Sequence, residues 1–425
     1  MFITAQILAR RLRAAREARN LTQEQVAAAL GVSRPAIVQI EAGQRAVSSL
    51  ELAKLADLFL RDMRDLVAAE DAGERDPLFV LFRAENGVVS RPDIVKKVQQ
   101  YLAIGREMSH LTRILGVDGD GKTPPRCVLP PPASRWEAVQ QGETMANEER
   151  RRLNLGVGPL PDVVELLEDQ GVRAGIAELM DDVSGLTLAD RNGPFVVIVN
   201  QGHGRLRRRF SFAHEYAHVL ADYDRTSLVS RSSEREQMHE VRANAFAATF
   251  LMPEPGVDAF LGSIGKGQPS RTRSAVFDGK EALDVEGRSE PGSQDLQAYD
   301  LVLFAHYFGV SCIAALYRLK NLRFITGAEF EKLKSLDDAN RTRDLALLLD
   351  LAPTREEEEL DHERHRFRRR FLGLALEACR REKISRGKFR ELARMAGVGE
   401  DEVEQLVEYV DLDLPGAAVD PHRHR

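Results

Sequence analysis

The sequence predicts a mainly α chain with one small α+β domain near its middle. From Ile7 to Leu58, apolar residues recur at helical spacing in short runs broken by Gly and Ser, the pattern of a bundle of short helices. Phe195-Val196-Val197-Ile198-Val199 is rich in β-branched residues and lies between Asn192-Gly193-Pro194 and Asn200, which marks a buried strand. From Asp295 to Leu351 the periodicity is helical again. At 425 residues the chain exceeds the size at which one hydrophobic core stops growing, so several domains are expected.

The net charge of -6 argues against a protein that coats nucleic acid along its whole length. The charge is uneven, because residues 1–64 carry ten Lys/Arg against six acids. Cys127, Cys312 and Cys379 stand far apart, without the paired spacing of a thiolate metal site or a disulfide framework, and fit a reducing cytoplasm. Arg10 to Arg19 interrupt the apolar stretch that a signal peptide needs. No apolar run reaches the roughly 18 residues of a membrane span, so a cytoplasmic protein with no membrane partner is expected.

In chain order, residues 1–66 form a first domain of five short helices, with Leu8, Leu12, Ala15, Val26, Leu30, Ile37, Ile40, Leu52 and Leu55 as their apolar positions. Residues 67–117 form a helical connector with Ile94, Val98, Leu102 and Ile104 as a stripe. Residues 118–134, with Gly119, Gly121, Pro124, Pro125 and Pro130 to Pro132, cannot hold regular structure and make a linker. Residues 135–260 are the α+β domain. It opens with helices at Arg135–Leu153 and Pro161–Gln170, the second ended by Gly171. After the strand come helices at Arg207–Tyr223 and Glu234–Leu251, stopped by Pro253 and Pro255. Residues 261–294, rich in Gly, Ser, Pro and charge, form a disordered insertion. Residues 295–425 are a helical C-terminal region, in which Glu356 to Glu359 followed by Arg364 to Arg370 predicts a solvated helix held by charge pairs four apart. Two further helices around Gly397 carry Glu400, Asp401, Glu402, Glu404 and Glu408, which repel phosphate and favour contact with protein.

Within the first domain, Thr22 can cap a helix whose first turn holds Glu24 and Gln25, and Gly31 supplies a left-handed turn. Ser33 caps the next helix, with Pro35 early in it. Ser33 to Glu41 is then a recognition helix, and Arg34 is the candidate for reading guanine in the major groove. Gln23, Ser33, Pro35, Gln39 and Arg45 complete the candidate DNA contacts, with Gln44 and Arg45 leading toward the backbone. The segment Ile7 to Met63 resembles the XRE family of phage-repressor-like helix-turn-helix domains. That resemblance implies a lambda-repressor-like fold and a homodimer on an inverted-repeat operator in double-stranded DNA.

The second motif is His214-Glu215-Tyr216-Ala217-His218. Two histidines four apart project from one helical face and can share a metal ion, while Glu215, about 100° around, can reach a metal-polarised water as general base. A third, oxygen ligand is needed. Glu240 on the next helix is the leading candidate, with Glu236 and His239 as alternatives. Asn244, one turn later, can hydrogen-bond a ligand histidine. Tyr223, His203 and Tyr216 remain open as an additional oxyanion donor.

Arg207-Arg208-Arg209-Phe210-Ser211-Phe212-Ala213 ahead of the motif, Glu240 to Ala247 after it, and Phe250-Leu251-Met252-Pro253 resemble the ImmA/IrrE family of metallopeptidases over about Asn147 to Pro255. The resemblance implies a zincin-like fold of gluzincin type, with Zn2+ on His214, His218 and Glu240 and the general base at Glu215. It also implies cleavage of a repressor-like helix-turn-helix protein. Tyr216-Ala217 departs from the small pair ending in Gly that is common in the family, which puts access to the cleft at issue. Two other readings stand beside the protease: a transcription factor whose zincin-like domain senses a signal, and one arm of a toxin-antitoxin or phage-defence pair.

Overall fold

The N-terminal helices start and stop where their caps dictate. α1 (Ala5–Ala18) begins at Thr4, whose side chain accepts from the Ile7 N–H. α2 (Gln23–Leu30) opens with a reciprocal capping box between Thr22 and Gln25 and ends at Gly31, left-handed at φ +73°. α3 (Arg34–Glu41) follows Ser33, and α4 (Ser49–Phe59) closes over a core of Leu12, Val26, Leu30, Ile37, Ile40, Leu55 and Phe59. Arg16 holds α1 to α3 by donating to both carboxylate oxygens of Glu41, at 2.6 and 3.1 Å. This is the computed structural model of residues 4–19, 21–59, 66–67, 92–117, 124–189, 195–222, 227–231, 236–267, 272–278, 281–287, 293–351 and 362–412. Leu66, buried with Val67 beside it in helical conformation, joins the N-terminal core. The rest of the expected fifth helix lies outside the described residues.

The middle of the chain is a four-stranded sheet with helices on both faces. β1 (Arg173–Ala177), β2 (Val183–Ala189), β3 (Phe195–Asn200) and β4 (Ser227–Arg231) lie in the order β1-β3-β2-β4, with β1 parallel to β3 and the other pairs antiparallel. On one face, Ala174, Ile176, Val197 and Val199 pack against α6 (Arg135–Arg152), α7 (Val163–Asp169), α8 (Arg205–Ala221) and α9 (Met238–Leu251). On the other face, Val196, Ile198, Leu186 and Leu188 meet Val98 and Leu102 of α5 (Pro92–Leu115). Alternate residues of β3 therefore serve two cores.

The helix expected as a connector is thus a core element. The N-terminal half of α5 covers the sheet, where the Tyr101 hydroxyl donates to the Ile176 carbonyl of edge strand β1 at 2.7 Å. Its C-terminal half, through Ile104, Met108, Leu111 and Leu115, packs into the last helices of the chain. Periodicity finds such a stripe but cannot name its partners.

The insertion expected to be disordered also differs. α10 (Glu254–Ser263) runs into it, and β5 (Thr272–Asp278) pairs antiparallel with β6 (Glu281–Gly287) from Asp278↔Glu281 to Thr272↔Gly287. Val276-Phe277 in the first run and the alternation of Leu283 and Val285 with Asp284 and Glu286 in the second, two residues further on, favour strands over a composition that on average reads as unfolded. In the linker, residues 124–132 form no regular element, yet they are anchored: the Cys127 N–H donates to the Leu220 carbonyl at 2.8 Å, and Gln141 donates to the Pro130 carbonyl at 3.0 Å.

The described residues of the C-terminal region are largely helical, as the sequence predicts, and the Glu356 to Glu359 run lies outside them. α11 (Ala298–Phe308), α12 (Cys312–Asn321) and α13 (Gly327–Asp338) extend the main core with Phe304, Phe308, Leu316 and Phe330, and α14 (Arg341–Leu348) follows. α15 (His362–Arg380), α16 (Arg386–Met395) and α17 (Glu400–Leu412) build a separate core on Phe371, Phe389 and Leu392. Among the described residues, no single helix is long and apolar enough to cross a membrane.

Candidate functional site

α8 carries His214, Glu215 and His218 along a buried stretch, and α9 crosses it with Glu240 in its first turn. Close crossing is possible because α9 presents Ala243 and Ala247 to the shared core. His214 Nε2 lies 3.1 Å from Glu240 Oε2, His218 Nε2 lies 3.3 Å from Glu240 Oε1, and the two Nε2 atoms are 3.2 Å apart. Metal–ligand bonds of roughly 2.0–2.1 Å in a tetrahedron put ligand atoms about 3.3–3.4 Å apart, and the two Nε2 atoms, like each Nε2 and the carboxylate oxygen facing it, stand near that spacing. Among the described residues they form the one His/Cys/Asp/Glu group whose ligand atoms converge within 4.8 Å.

The outward nitrogens fix the tautomers. His214 Nδ1 meets Asn244 Oδ1 at 3.1 Å, and His218 Nδ1 meets Asp222 Oδ2 at 2.9 Å. With both Nδ1 atoms donating, the Nε2 lone pairs face each other and a carboxylate, an arrangement that requires positive charge between them. In the metal-free chain a proton meets that need. Burial would lower the His218 pKa, but hydrogen bonds to Asp222 and Glu240 outweigh it and push it up to about 10. Burial would likewise raise the Glu240 pKa, yet the bonds from His214 and His218 hold it well below the carboxylate range. Asp222 sits at about 2, because the His218 and Arg242 contacts overcome its burial. Two imidazoles and one carboxylate are also the donor set of catalytic zinc sites that keep a fourth position open, so the residues fit such an ion.

Glu215 is completely buried. Its Oε2 accepts from the Thr187 hydroxyl at 2.7 Å, while Oε1 has no hydrogen-bond partner among the described residues. β2 approaches so closely that a Cβ at Gly185 would fall 2.4 Å from Glu215 Oε1. Glycine at 185 and threonine at 187 therefore give the carboxylate its space and its direction.

Other residues singled out from the sequence lie elsewhere. Glu236 is exposed and pairs with Arg135. His239 Nε2 is 3.5 Å from Glu240 Oε1, beside the group but outside its converging atoms. Tyr216 is turned away from any cleft: its hydroxyl donates to Glu149 at 2.5 Å within the core, and burial raises its pKa. It therefore neither gates access nor faces the metal group. His203 precedes the N-terminus of α8, three turns before His214, and burial lowers its pKa. Tyr223 lies outside the described residues. Sequence reasoning missed Asp222, Arg242, Thr187 and Gly185. Asp222 had a legible signal, since it stands one turn after His218 on the same face. The contacts of Thr187 and Gly185 with Glu215 had none once β2 went unread.

In the first domain, Ser33, Arg34, Pro35 and Gln39 are exposed together on α3. The Arg34 side chain is 61% exposed, with Glu24 no nearer than 3.9 Å, so it is available to a partner. Gln23 and Arg45 are more committed, donating to Glu41 at 2.9 Å and to Glu51 at 2.7 Å.

Comparison with known proteins bears on both regions. The helix-turn-helix family matches residues 12–66, and the IrrE N-terminal-like domain of peptidase family M78 matches residues 167–267. No curated protein matches the chain. The crystal structure of ComR from Streptococcus suis aligns over 96% of this chain and 97% of its own at 13% identity, but with a TM-score of 0.15 the likeness carries no structural weight. The chain thus joins an XRE-type helix-turn-helix domain to an IrrE N-terminal-like domain of the M78 peptidases.

Proposed function

We propose that the chain is a DNA-binding transcriptional regulator with zinc-dependent endopeptidase activity, directed at a repressor-like regulatory protein. The observation that carries this is the convergence of His214, His218 and Glu240 with Glu215 held alongside by Thr187. A bound zinc ion would polarise a water molecule and the scissile carbonyl. Glu215 takes the proton from the attacking water and later delivers it to the leaving amine. Thr187 holds Oε2, which leaves Oε1 as the oxygen that exchanges the proton. Asn244 and Asp222 keep the imidazoles in the tautomer that offers Nε2. The helix-turn-helix brings this chemistry to an operator, through Arg34 and the exposed start of α3.

One observation favours the sensor reading. Glu215 is fully buried, and His214, His218 and Glu240 are 5%, 1% and 2% exposed, so a peptide reaches them only after the site opens. The discriminating experiment incubates zinc-loaded wild type and Glu215→Gln with helix-turn-helix repressors, the chain itself included. The protease reading expects a defined cut by wild type alone. If both leave every substrate intact while both bind an operator, the sensor reading replaces it.

A further inference from the structure

His214 and His218 present their Nε2 atoms to the same place but are supported differently behind the ring. The partner of His214 is the neutral amide of Asn244. The partner of His218 is the carboxylate of Asp222, which is itself held by Arg242: Nη2 donates to Asp222 Oδ1 at 2.7 Å while Oδ2 faces His218 Nδ1 at 2.9 Å. Both charges are interior, with the Asp222 and Arg242 side chains only 10% and 6% exposed.

The arrangement closes on itself. Arg242 stands two residues after Glu240 on α9, and Glu240 Oε1 lies 3.3 Å from His218 Nε2. α9 therefore grips His218 at both nitrogens, directly through Glu240 and indirectly through Arg242 and Asp222. A carboxylate behind an imidazole makes its far nitrogen more basic and locks the ring, whereas an amide oxygen locks it with less gain in basicity. The guanidinium in turn holds the Asp222 carboxylate in place against His218.

We infer that Asp222, clamped by Arg242, is the positioning residue that sets metal affinity by making His218 the stronger of the two histidine donors. The inference rests on the reading that His214, His218 and Glu240 hold a metal ion, and it adds a carboxylate and a guanidinium to that site. Neither group touches substrate.

The test uses the full chain and the metal alone. Zinc affinity is measured by competition with a chromophoric chelator for wild type, Asp222→Asn and the double variant Asp222→Asn/Arg242→Gln, and the Co2+ absorption spectrum of each is recorded. The double variant is included because Asp222→Asn alone leaves Arg242 buried without its counter-charge, whereas removing both charges at similar volume lets the fold stand. Affinity is expected to fall by about 10–100-fold in both variants. The Co2+ spectrum should change, and the metal-free melting temperature of the double variant should stay near that of wild type. Wild-type affinity and an unaltered Co2+ spectrum in a folded double variant would overturn the inference alone. A wild-type chain that takes up neither Zn2+ nor Co2+ would overturn the metal site itself, and the inference with it.

Discussion

Gly142 sits in the middle of α6 where that helix lies on α9, and replacing it with alanine sets two effects of opposite sign against each other. Alanine is the better helix former by about 1 kcal/mol. The new Cβ, however, would fall 2.3 Å from the Arg242 carbonyl oxygen and 2.9 Å from both the Ala245 Cβ and the Phe246 nitrogen. Two of these atoms are backbone, which no rotamer change can move. Ordinary contact begins near 3.4 Å, so the helices must part by roughly 1 Å along a shared core that includes Met145, Ala146, Phe246 and Phe250. Such overpacking costs about 3 kcal/mol, which leaves a net loss of about 2 kcal/mol. For a domain of roughly 150–250 residues that lowers the melting temperature by ~4–8 °C. Gly373, in the interior of α15 with nothing within 4 Å of its would-be Cβ, is the matched control. There Gly373→Ala should stabilise by ~0.5–1 kcal/mol. Calorimetry of the metal-free variants reads both. A Gly142→Ala melting temperature at or above wild type would refute the close crossing of α6 and α9 that places Glu240.

Gly185→Ala pushes the Glu215 carboxylate off Thr187 without touching a metal ligand, so zinc content should stay at the wild-type level while cleavage falls about 100-fold, the usual effect of a ~1 Å misplacement; unchanged cleavage would refute it. His218, at about 10, is protonated in the metal-free chain at neutral pH, so zinc binding there should release a proton, read by calorimetry in two buffers of different ionisation heat. Zero release would contradict the assignment. The same shifts govern metal-free stability: the His218 contribution is complete below pH 6.5 and lost as pH rises through about 10, whereas that of Asp222 is present above pH 3.8 and lost as pH falls through about 2. Arg34→Ala should weaken binding by about 1–3 kcal/mol at one base-pair position, and an unchanged site preference would remove it from base readout.

Much of the site was legible because its signals are local. His214 and His218 share a helical face by spacing alone, and Thr22 and Gly31 mark the ends of α2 through short-range capping, whereas Ser33 stands at the N-cap of α3 without the side-chain bond expected of it. Glu240 could be chosen over Glu236 because the small residues beside it announce a close helix crossing. What stayed hidden is non-local. β3 was visible as a β-branched run, but β1 and β2 each contain a glycine that breaks the pattern, and both glycines are there because something presses on the strand: Tyr101 at Gly175 and Glu215 at Gly185. The role of α5 depends on contacts with a sheet some 75 residues away and a helix bundle further still, and spacing within α5 encodes neither.

Metal stoichiometry tests the site of His214, His218 and Glu240 most directly. Equilibrium dialysis against zinc should give one tightly held ion per chain for wild type and for Glu215→Gln, since Glu215 holds no ligand position. His218→Gln and Glu240→Gln should lose that uptake while keeping their fold. A folded Glu240→Gln chain that still takes up one zinc at wild-type affinity would contradict the site built from His214, His218 and Glu240.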